Sequence, residues 1–211
     1  MDDILIPFLA GIIHVSSIEM ITMTAIGALG VSTGSFVAVL GAAGLAVALA
    51  FQGTFSNFRA GLMLLTFRPF DVGHFVEVGG APCTVKEVGI VSCILSTPDN
   101  IQIGVPNSAI FGATRKNYSV NDTRRIDLEI GVGYDDDLGV AVGTCLDVLA
   151  AGSRVLAEPE AVVAVNELGD SSVNLVVRPW VARTDYITTR WDLVRALKEN
   201  LEAAGCSLPY P

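Results

Sequence analysis

The sequence has 211 residues, of which 51% are hydrophobic, with a mean hydropathy of +0.55 and a formal net charge of −9. This composition is too apolar for an ordinary soluble domain. The acidic balance excludes a nucleic-acid-binding protein, because no basic face is available to neutralise phosphates. Residues 1–67 hold three acidic residues and one basic residue, whereas residues 68–211 hold nineteen and twelve. The sequence therefore predicts a membrane region followed by an acidic soluble region.

The membrane region predicts two transmembrane helices that are joined by a tight turn. No residue from Met20 to Phe58 is charged, and the first predicted span covers about residues 4–29. The cluster of small and polar residues from Gly30 to Gly34 predicts the turn. His14 and Glu19 lie within the first span, where polar residues are candidate functional groups. A position of Glu19 against a neighbouring helix or near water is the alternative.

The second span, about residues 34–52, is predicted to line a pore. Eight of the thirteen residues from Ala38 to Ala50 are Ala or Gly, and small side chains allow helices to approach closely inside a membrane. Leu45 and Leu49 are four residues apart and share one helix face. If copies pack around an axis with that face inward, the leucines form apolar rings that block ions by excluding water. Gln52-Gly53 is predicted to end or bend the helix.

A third helix of different character is predicted at about residues 54–67. Its apolar residues repeat at helical spacing: Phe55, Phe58, Leu62 and Leu65. This pattern predicts a helix that lies at the membrane interface. Packing on the soluble region is the alternative, and both can hold. Arg59 and Arg68 follow the second span, so the positive-inside tendency predicts that the C-terminal region is cytoplasmic.

Residues 68–122 are predicted to form a small all-β domain of the SH3/Sm-like type. Short strand-like runs alternate with turn signals at Gly79-Gly80 and at Pro98-Asp99-Asn100, a spacing typical of small barrels. Val105-Pro106-Asn107 is interpreted as a structural turn.

Residues 123–211 are predicted to form an α+β domain of the ferredoxin-like type, with the order strand, helix, two strands, helix. The first strand is expected at 125–134, the hairpin at 162–181 and the last helix at 185–204. Asp135-Asp136-Asp137 is expected to stabilise the start of the first helix through its dipole, and a divalent-cation site is the alternative. Two apolar stripes are expected to be buried: Leu138, Val142, Cys145, Leu146 and Leu149 on the first helix, and Ile187, Trp191, Val194, Leu197 and Leu201 on the last.

The sequence does not predict an enzyme. It contains no phosphate-binding Walker loop, dinucleotide-binding glycine pattern, nucleophile elbow or HExxH motif. Two histidines leave little for acid–base or metal chemistry, and no metal or cofactor is expected. The four cysteines lack the spacing of metal ligands and are expected to be reduced thiols that fill apolar space.

Several separated motifs resemble the small-conductance mechanosensitive channel (MscS) family along nearly the whole chain. In chain order they are VLGAAGLAVALAFQGTFSNFRAG, FRPFDVG, VPNSAI, NYSVNDTRR, IGVGYDDD, NELGDSSV and the terminal SLPYP. The resemblance implies a homoheptameric channel in the cell (inner) membrane that opens under membrane tension. Its partners would be the lipid bilayer, other copies of itself, and the ions and small osmolytes that it releases from a swollen cell.

The resemblance also implies roles for individual residues. It assigns the pore constriction to Leu45 and Leu49, and the kink to Gly53. Small residues would pack between neighbouring pore helices: Ala38, Gly41, Ala42, Gly44, Ala46 and Ala48. The family usually has glycine where this sequence has Ala48.

Two segments of the family pattern are missing from this sequence. One is the membrane helix that usually comes before the first span seen here, and the other is the strand that follows the match to Pro209-Tyr210-Pro211. The sequence is therefore interpreted as a fragment, as a chain with a misplaced start, or as a reduced member of the family. The alternative function is a membrane-anchored scaffold, or a reduced family member, with a cytoplasmic protein-binding domain and without tension gating.

Overall fold

The computed structural model describes residues 2–209, with the side chains of residues 2–5 and 9 left aside. The family-like residues Tyr210 and Pro211 lie outside the described residues. The chain divides into two compact units, the first of which ends at Arg59 and the second of which begins at Ala60.

The first unit is helical. Helix α1 covers Asp2–Ala28, α2 covers Gly34–Ala50, and α3 begins at Gln52 and continues to Phe67 in the second unit. Gly30 has a φ of +81° in the turn between α1 and α2, a conformation that glycine adopts at little cost. By length and composition, Ile6–Ala28 can span a membrane, and α2 with α3 passes the same criterion as one span bent by 54°.

The second unit begins with the rest of α3 and an all-β domain. Its strands are β1 (Phe75–Val78), β2 (Ala81–Val88), β3 (Ser92–Ser96), β4 (Gln102–Pro106) and β5 (Arg115–Asn117). They form one antiparallel sheet in the order β4-β3-β2-β1-β5. The short helix α4 (Asn107–Gly112) joins β4 to β5. Both predicted turns are present: Gly79 and Gly80 have φ values of +62° and +84°, and Asn100 has +68°.

The α+β domain follows. Its elements are β6 (Thr123–Arg125), β7 (Leu128–Val132), α5 (Leu138–Ala151), β8 (Val162–Leu168), β9 (Val173–Arg178), β10 (Trp180–Ala182) and α6 (Tyr186–Ala203). Strands β7, β9 and β8 form an antiparallel sheet in that order, and β6 pairs with β10. The order of one strand, one helix, a hairpin and a second helix agrees with the predicted split α+β layer.

Each domain of the second unit has its own hydrophobic core. The β-domain core includes Leu64, Val76, Val85, Cys93 and Ile110. The α+β core includes Ile126, Leu175, Leu193, Leu197 and Leu201. On β9, Val173, Leu175 and Val177 are buried and belong to the α+β core.

The strand predicted over residues 125–134 is present as β7, but it is shorter than predicted. The chain forms β6, leaves the β6–β10 pair at Ile126, and then forms β7 beside β9. The Ile126 amide donates to the carbonyl of Pro179 at 2.9 Å, so this break is itself hydrogen-bonded. The run of strand-forming residues therefore crosses from one sheet to another, which its local composition does not reveal.

The predicted buried stripe of α6 is wrong at three of its five positions. Ile187, Trp191 and Val194 are exposed, with Trp191 63% exposed, whereas Leu197 and Leu201 are buried as expected. The helix buries a neighbouring stripe that also includes Thr189 and Leu193. On α5, Leu146 is exposed and Val148 takes its place in the core.

Candidate functional site

Helix α2 is the element from which the candidate site is built. Its alanines favour helix strongly, and it begins directly after the turn at Gly30–Thr33. None of its residues is buried within the chain. A helix that is apolar on every side needs lipid or other protein around it.

The two leucines lie on the face of α2 that is opposite to α1. Phe36, Val39 and Leu40 of α2 line a cavity of about 540 Å³ together with residues of α1, so this face is turned to α1. Phe36 and Leu45 are nine residues apart, as are Leu40 and Leu49, and nine residues are two and a half turns of a helix. Leu45 and Leu49 therefore point away from α1, and each is 61% exposed in the single chain.

The small residues assigned to helix packing also lie on open surface. Their positions are Ala38, Gly41, Ala42, Gly44, Ala46 and Ala48, all in α2. A Cβ atom added to Gly41 or Gly44 would meet no atom within 4 Å. This chain therefore leaves space beside both glycines that a closely packed neighbouring helix can occupy.

The helix axis breaks at Phe51, next to the predicted kink. Phe51 separates α2 from α3, and the two helices are bent by 54°. Gly53 lies in the first turn of α3, two residues after the break, and its carbonyl accepts a hydrogen bond from Asn57 Nδ2 at 3.0 Å. The backbone ladder continues on both sides, because Phe51 donates to Val47 and accepts from Phe55, each at 3.0 Å.

The C-terminal half of α3 is packed against the β domain. Ala60, Gly61 and Leu64 are buried, and Leu64 belongs to the β-domain core. The apolar residues that were predicted to face the interface remain exposed: Phe55, Phe58, Leu62 and Leu65. The helix thus packs on the soluble domain with one face, as the alternative interpretation expected. Its other face is left available to a membrane surface, and that part stays a prediction.

Asn107 of the Val105-Pro106-Asn107 motif has a role in the β domain beyond that of the predicted turn. Its side chain is fully buried and donates to the carbonyl of Gly89 at 3.0 Å. Its amide oxygen accepts from Cys93 Sγ at 3.2 Å, and its backbone amide donates to Val91. A buried side-chain amide whose nitrogen and oxygen are both hydrogen-bonded holds the segments that it joins in one arrangement. The asparagine that begins α4 was the available signal for this role.

Glu77, Lys116 and Tyr118 form a hydrogen-bonded network on the β domain. Glu77 accepts from Lys116 Nζ at 2.8 Å and from the Tyr118 hydroxyl at 2.5 Å. The hydrogen bond from Lys116, and then that from Tyr118, lowers the pKa of Glu77 below its ordinary value of 4.5. The same contact with Glu77 raises the pKa of Tyr118 above 10.0.

The aspartates before α5 act on the backbone. Asp137 caps the helix by accepting from the amides of Gly139 and Val140 at 2.7 and 3.2 Å. Asp136 Oδ2 accepts from the amides of Gly133 and Ser207 and from the Ser207 hydroxyl, at 2.8–3.0 Å. Desolvation raises the pKa of Asp136, but the bonds from Ser207 and Gly133 outweigh it and hold this pKa below 3.8. These carboxylate oxygens therefore accept hydrogen bonds from the first turn of α5, from Gly133 and from Ser207.

The four cysteines are buried and carry free thiols: Cys83, Cys93, Cys145 and Cys206. Burial raises the pKa of each thiol above 9.0. For Cys145, burial and the neighbouring Cys206 raise the pKa to about 11. They behave as the apolar fillers that their spacing predicts.

The polar residues of α1 lie apart from the leucine face. Glu19 lines the cavity between α1 and α2, beside Thr22 and Met23. His14 is exposed elsewhere on α1. Neither is brought to Leu45 or Leu49, which lie on the far face of α2.

Family profiles match three consecutive parts of the chain. Residues 11–52 match "Mechanosensitive ion channel, transmembrane helices 2/3", and residues 53–120 match "Mechanosensitive ion channel, beta-domain". Residues 126–208 match "Mechanosensitive ion channel MscS, C-terminal".

Individual relatives and a solved structure agree with these matches. The chain is 43% identical over 211 residues to the small-conductance mechanosensitive channel of Edwardsiella ictaluri, covering all of this chain and 74% of that protein. It is 31% identical to the small-conductance mechanosensitive channel MscMJ of Methanocaldococcus jannaschii, covering 61% of that protein and all of this chain. The crystal structure of Helicobacter pylori MscS in its closed state superposes with a TM-score of 0.95 at 28% identity, covering all of this chain and 83% of that one. The chain therefore belongs to the MscS family of mechanosensitive ion channels.

Proposed function

We propose that several copies of this chain surround a central water passage that α2 lines, and that the assembly opens under membrane tension to release ions and small osmolytes. The observation that carries this proposal is the position of Leu45 and Leu49. Both lie on the face of α2 that points away from α1, in a helix that is not buried by its own chain. A helix with one side on α1 and the opposite side open has room for an axis of symmetry on that side.

The closed state is held by the leucines. Rings of Leu45 and Leu49 make the passage narrow and apolar, and such a constriction loses its water and stops ions without a physical plug. The proposed number of copies is seven, as the family resemblance implies. The chain has no catalytic role in this proposal.

Small residues allow the helices to pack and to slide. Neighbouring copies of α2 meet through Ala38, Gly41, Ala42, Gly44, Ala46 and Ala48, as the resemblance implies. The open space beside Gly41 and Gly44 supports this packing. A kink at Gly53, close to the observed break at Phe51, would turn the chain from the pore to the interface.

Tension acts through membrane area. An open pore occupies more area in the membrane than a closed one, so tension favours the open state in proportion to the difference. The proposal includes a position in the inner membrane with the second unit in the cytoplasm. Arg59 and Arg68 support this orientation, because basic residues accumulate on the cytoplasmic side of a span.

Patch recording of the purified protein in liposomes tests the proposal. Suction should evoke discrete currents whose open probability rises steeply with tension, and native mass measurement of the same sample should give seven copies. An assembled ring without suction-dependent current would contradict tension gating. A monomer without current would favour the membrane-anchored scaffold.

A further inference from the structure

Two cytoplasmic domains with separate cores meet at a small set of side chains. The β-domain core and the α+β core share no residue among those described. The chain passes from one domain to the other over residues 119–125, which end in β6. The orientation of one domain on the other therefore depends on the groups that lie beside this crossing.

Arg124 lies between two aromatic rings that belong to different domains. Its guanidinium carbon is 4.7 Å from the centroid of the Tyr118 ring and 3.6 Å from that of Tyr186. Tyr118 directly follows β5 of the β domain, and Tyr186 begins α6 of the α+β domain. All three side chains are half-buried, so the cation–π attraction is less screened than it would be on open surface.

Each ring contacts other residues of its own domain. The Tyr118 hydroxyl donates to Glu77 on β1 at 2.5 Å, and its ring lies 5.8 Å from that of Phe75. Tyr186 packs against the α+β core. The guanidinium of Arg124 therefore lies between two rings, each of which is attached to a different domain.

A second arginine holds the crossing segment itself. The Arg183 amide donates to the carbonyl of Asp122 at 2.9 Å, and its guanidinium donates to the carbonyl of Ser119. Ser119 Oγ accepts from the amide of Phe75 on β1 at 2.9 Å. The segment is thus bonded to both domains, which leaves Arg124 as the side chain that stacks on both.

We propose that Arg124 is a positioning residue that fixes the angle between the β domain and the α+β domain and passes movement of the second domain to the first. Because α3 packs on the β domain through Gly61 and Leu64, such movement reaches the helix that continues from α2. This functional part rests on the proposed channel activity, whereas the fixed angle does not. An arginine is suited to the position because its planar guanidinium can stack on two rings, which a lysine ammonium cannot do.

Distances between the two domains test the structural part in the full chain. Spin labels are attached at Lys86→Cys on β2 and Asp147→Cys on α5, both exposed positions, and labelled copies are diluted with unlabelled ones. We expect a narrow distance distribution in the parent protein and a broader one in Arg124→Gln. Arg124→Lys should fall between them. An unchanged distribution in Arg124→Gln would overturn the proposal.

Arg125→Gln is the matched control. Arg125 is the adjacent residue on β6, but it pairs with Asp127 within the α+β domain at 2.8 Å. This variant should keep the narrow distribution. If Arg124→Gln does not fold, Tyr186→Leu removes one ring and leaves the arginine, and it should broaden the distribution in the same way. Equal distributions in Tyr186→Leu and the parent protein would also overturn the proposal.

Current decay under sustained suction tests the functional part. The rate of decay should change about two- to fivefold in Arg124→Gln, the factor that one cation–π contact supports, and should stay unchanged in Arg125→Gln. An unchanged rate in Arg124→Gln, together with a broadened distance distribution, would refute the transmission of movement between the domains. It would still support the role of Arg124 in fixing the angle between them. If the parent protein passes no suction-dependent current, the proposed function fails, and the distance measurement still decides the structural inference.

Discussion

Gly61 of α3 and Asn107 of α4 are in such close contact that no larger residue fits at position 61. A Cβ atom added to Gly61 would lie nearer than 3.0 Å to Asn107 Nδ2 and to the carbonyl oxygen of Ile90. Because Asn107 is fully buried and bonded to Gly89 and Cys93, it cannot move aside without losing those bonds. Helix α3 therefore packs closely on the β domain at Gly61, where only a glycine fits.

We predict that Gly61→Ala destabilises the protein. Overpacking of a filled contact costs about 1–3 kcal/mol, and here the clash is partly with backbone. The midpoint of thermal unfolding of the purified protein should fall, and the tension threshold should change because α3 is displaced. Gly143→Ala in α5 is the control, since an added Cβ there meets no atom within 4 Å. This control should gain up to about 1 kcal/mol from helix propensity. An equal effect of both variants would contradict a contact specific to Gly61.

A second prediction concerns the dependence of stability on pH. The pKa of Glu77 is lowered in the folded protein by the hydrogen bonds from Lys116 and Tyr118. Folding then favours the ionised carboxylate, so the stabilisation is present above the unfolded pKa and is lost as the pH falls through the folded pKa. We expect Glu77→Gln to lower the unfolding midpoint at pH 7 and to flatten its decrease between neutral and acidic pH.

Glu87→Gln on β2 serves as the control for that measurement, because Glu87 is also an exposed carboxylate of the β domain. It should keep the slope of the parent protein below neutral pH. If the unfolding midpoint of Glu77→Gln falls with decreasing pH as steeply as that of the parent protein, the Lys116–Glu77–Tyr118 network does not contribute to the pH dependence of stability.

The leucine face could be predicted from the sequence, and its packing partners could not. The spacing of Leu45 and Leu49 follows from helix geometry alone, and the structure adds that this face is opposite to α1. The contact between Gly61 and Asn107 joins residues 46 positions apart in sequence, and no local pattern encodes it. A glycine in a helix signals close approach but does not name the neighbour.

Helix α6 shows the same limit within one element. Periodicity predicts an apolar stripe on α6, but this helix has apolar residues on more than one face. Which face is buried depends on how the helix packs against the sheet. Leu197 and Leu201 lie on both candidate stripes, whereas Leu193 is buried outside the predicted stripe and Trp191 on that stripe is exposed. The exposed face with Ile187, Trp191 and Val194 is apolar surface that the single chain leaves uncovered.

The start of α5 yields a third prediction. Asp137 accepts hydrogen bonds from the amides of Gly139 and Val140, and loss of such a cap costs about 1 kcal/mol. Asp137→Ala should lower the unfolding midpoint accordingly, as measured by the loss of helical circular dichroism on heating. Asp135→Ala is the control, since Asp135 is exposed and lies outside the cap. A larger effect at Asp135 would disprove the capping role.

The final prediction concerns the constriction. Leu45→Ser or Leu49→Ser places a hydroxyl in the proposed apolar ring, where it would favour water in the passage and weaken the barrier of the closed state. The tension needed to open the channel in patch recording should therefore fall in both variants.

Leu40→Ser provides the matched control in the same helix. Leu40 lies nine residues before Leu49 and faces the cavity beside α1, so its substitution puts the same hydroxyl on the opposite side of α2. It should leave the wetting of the passage unchanged, although it adds a polar group to the α1–α2 contact. Unchanged thresholds in both Leu45→Ser and Leu49→Ser would refute the leucine gate. A decrease only in Leu40→Ser would place the water passage on the side of α2 that faces α1.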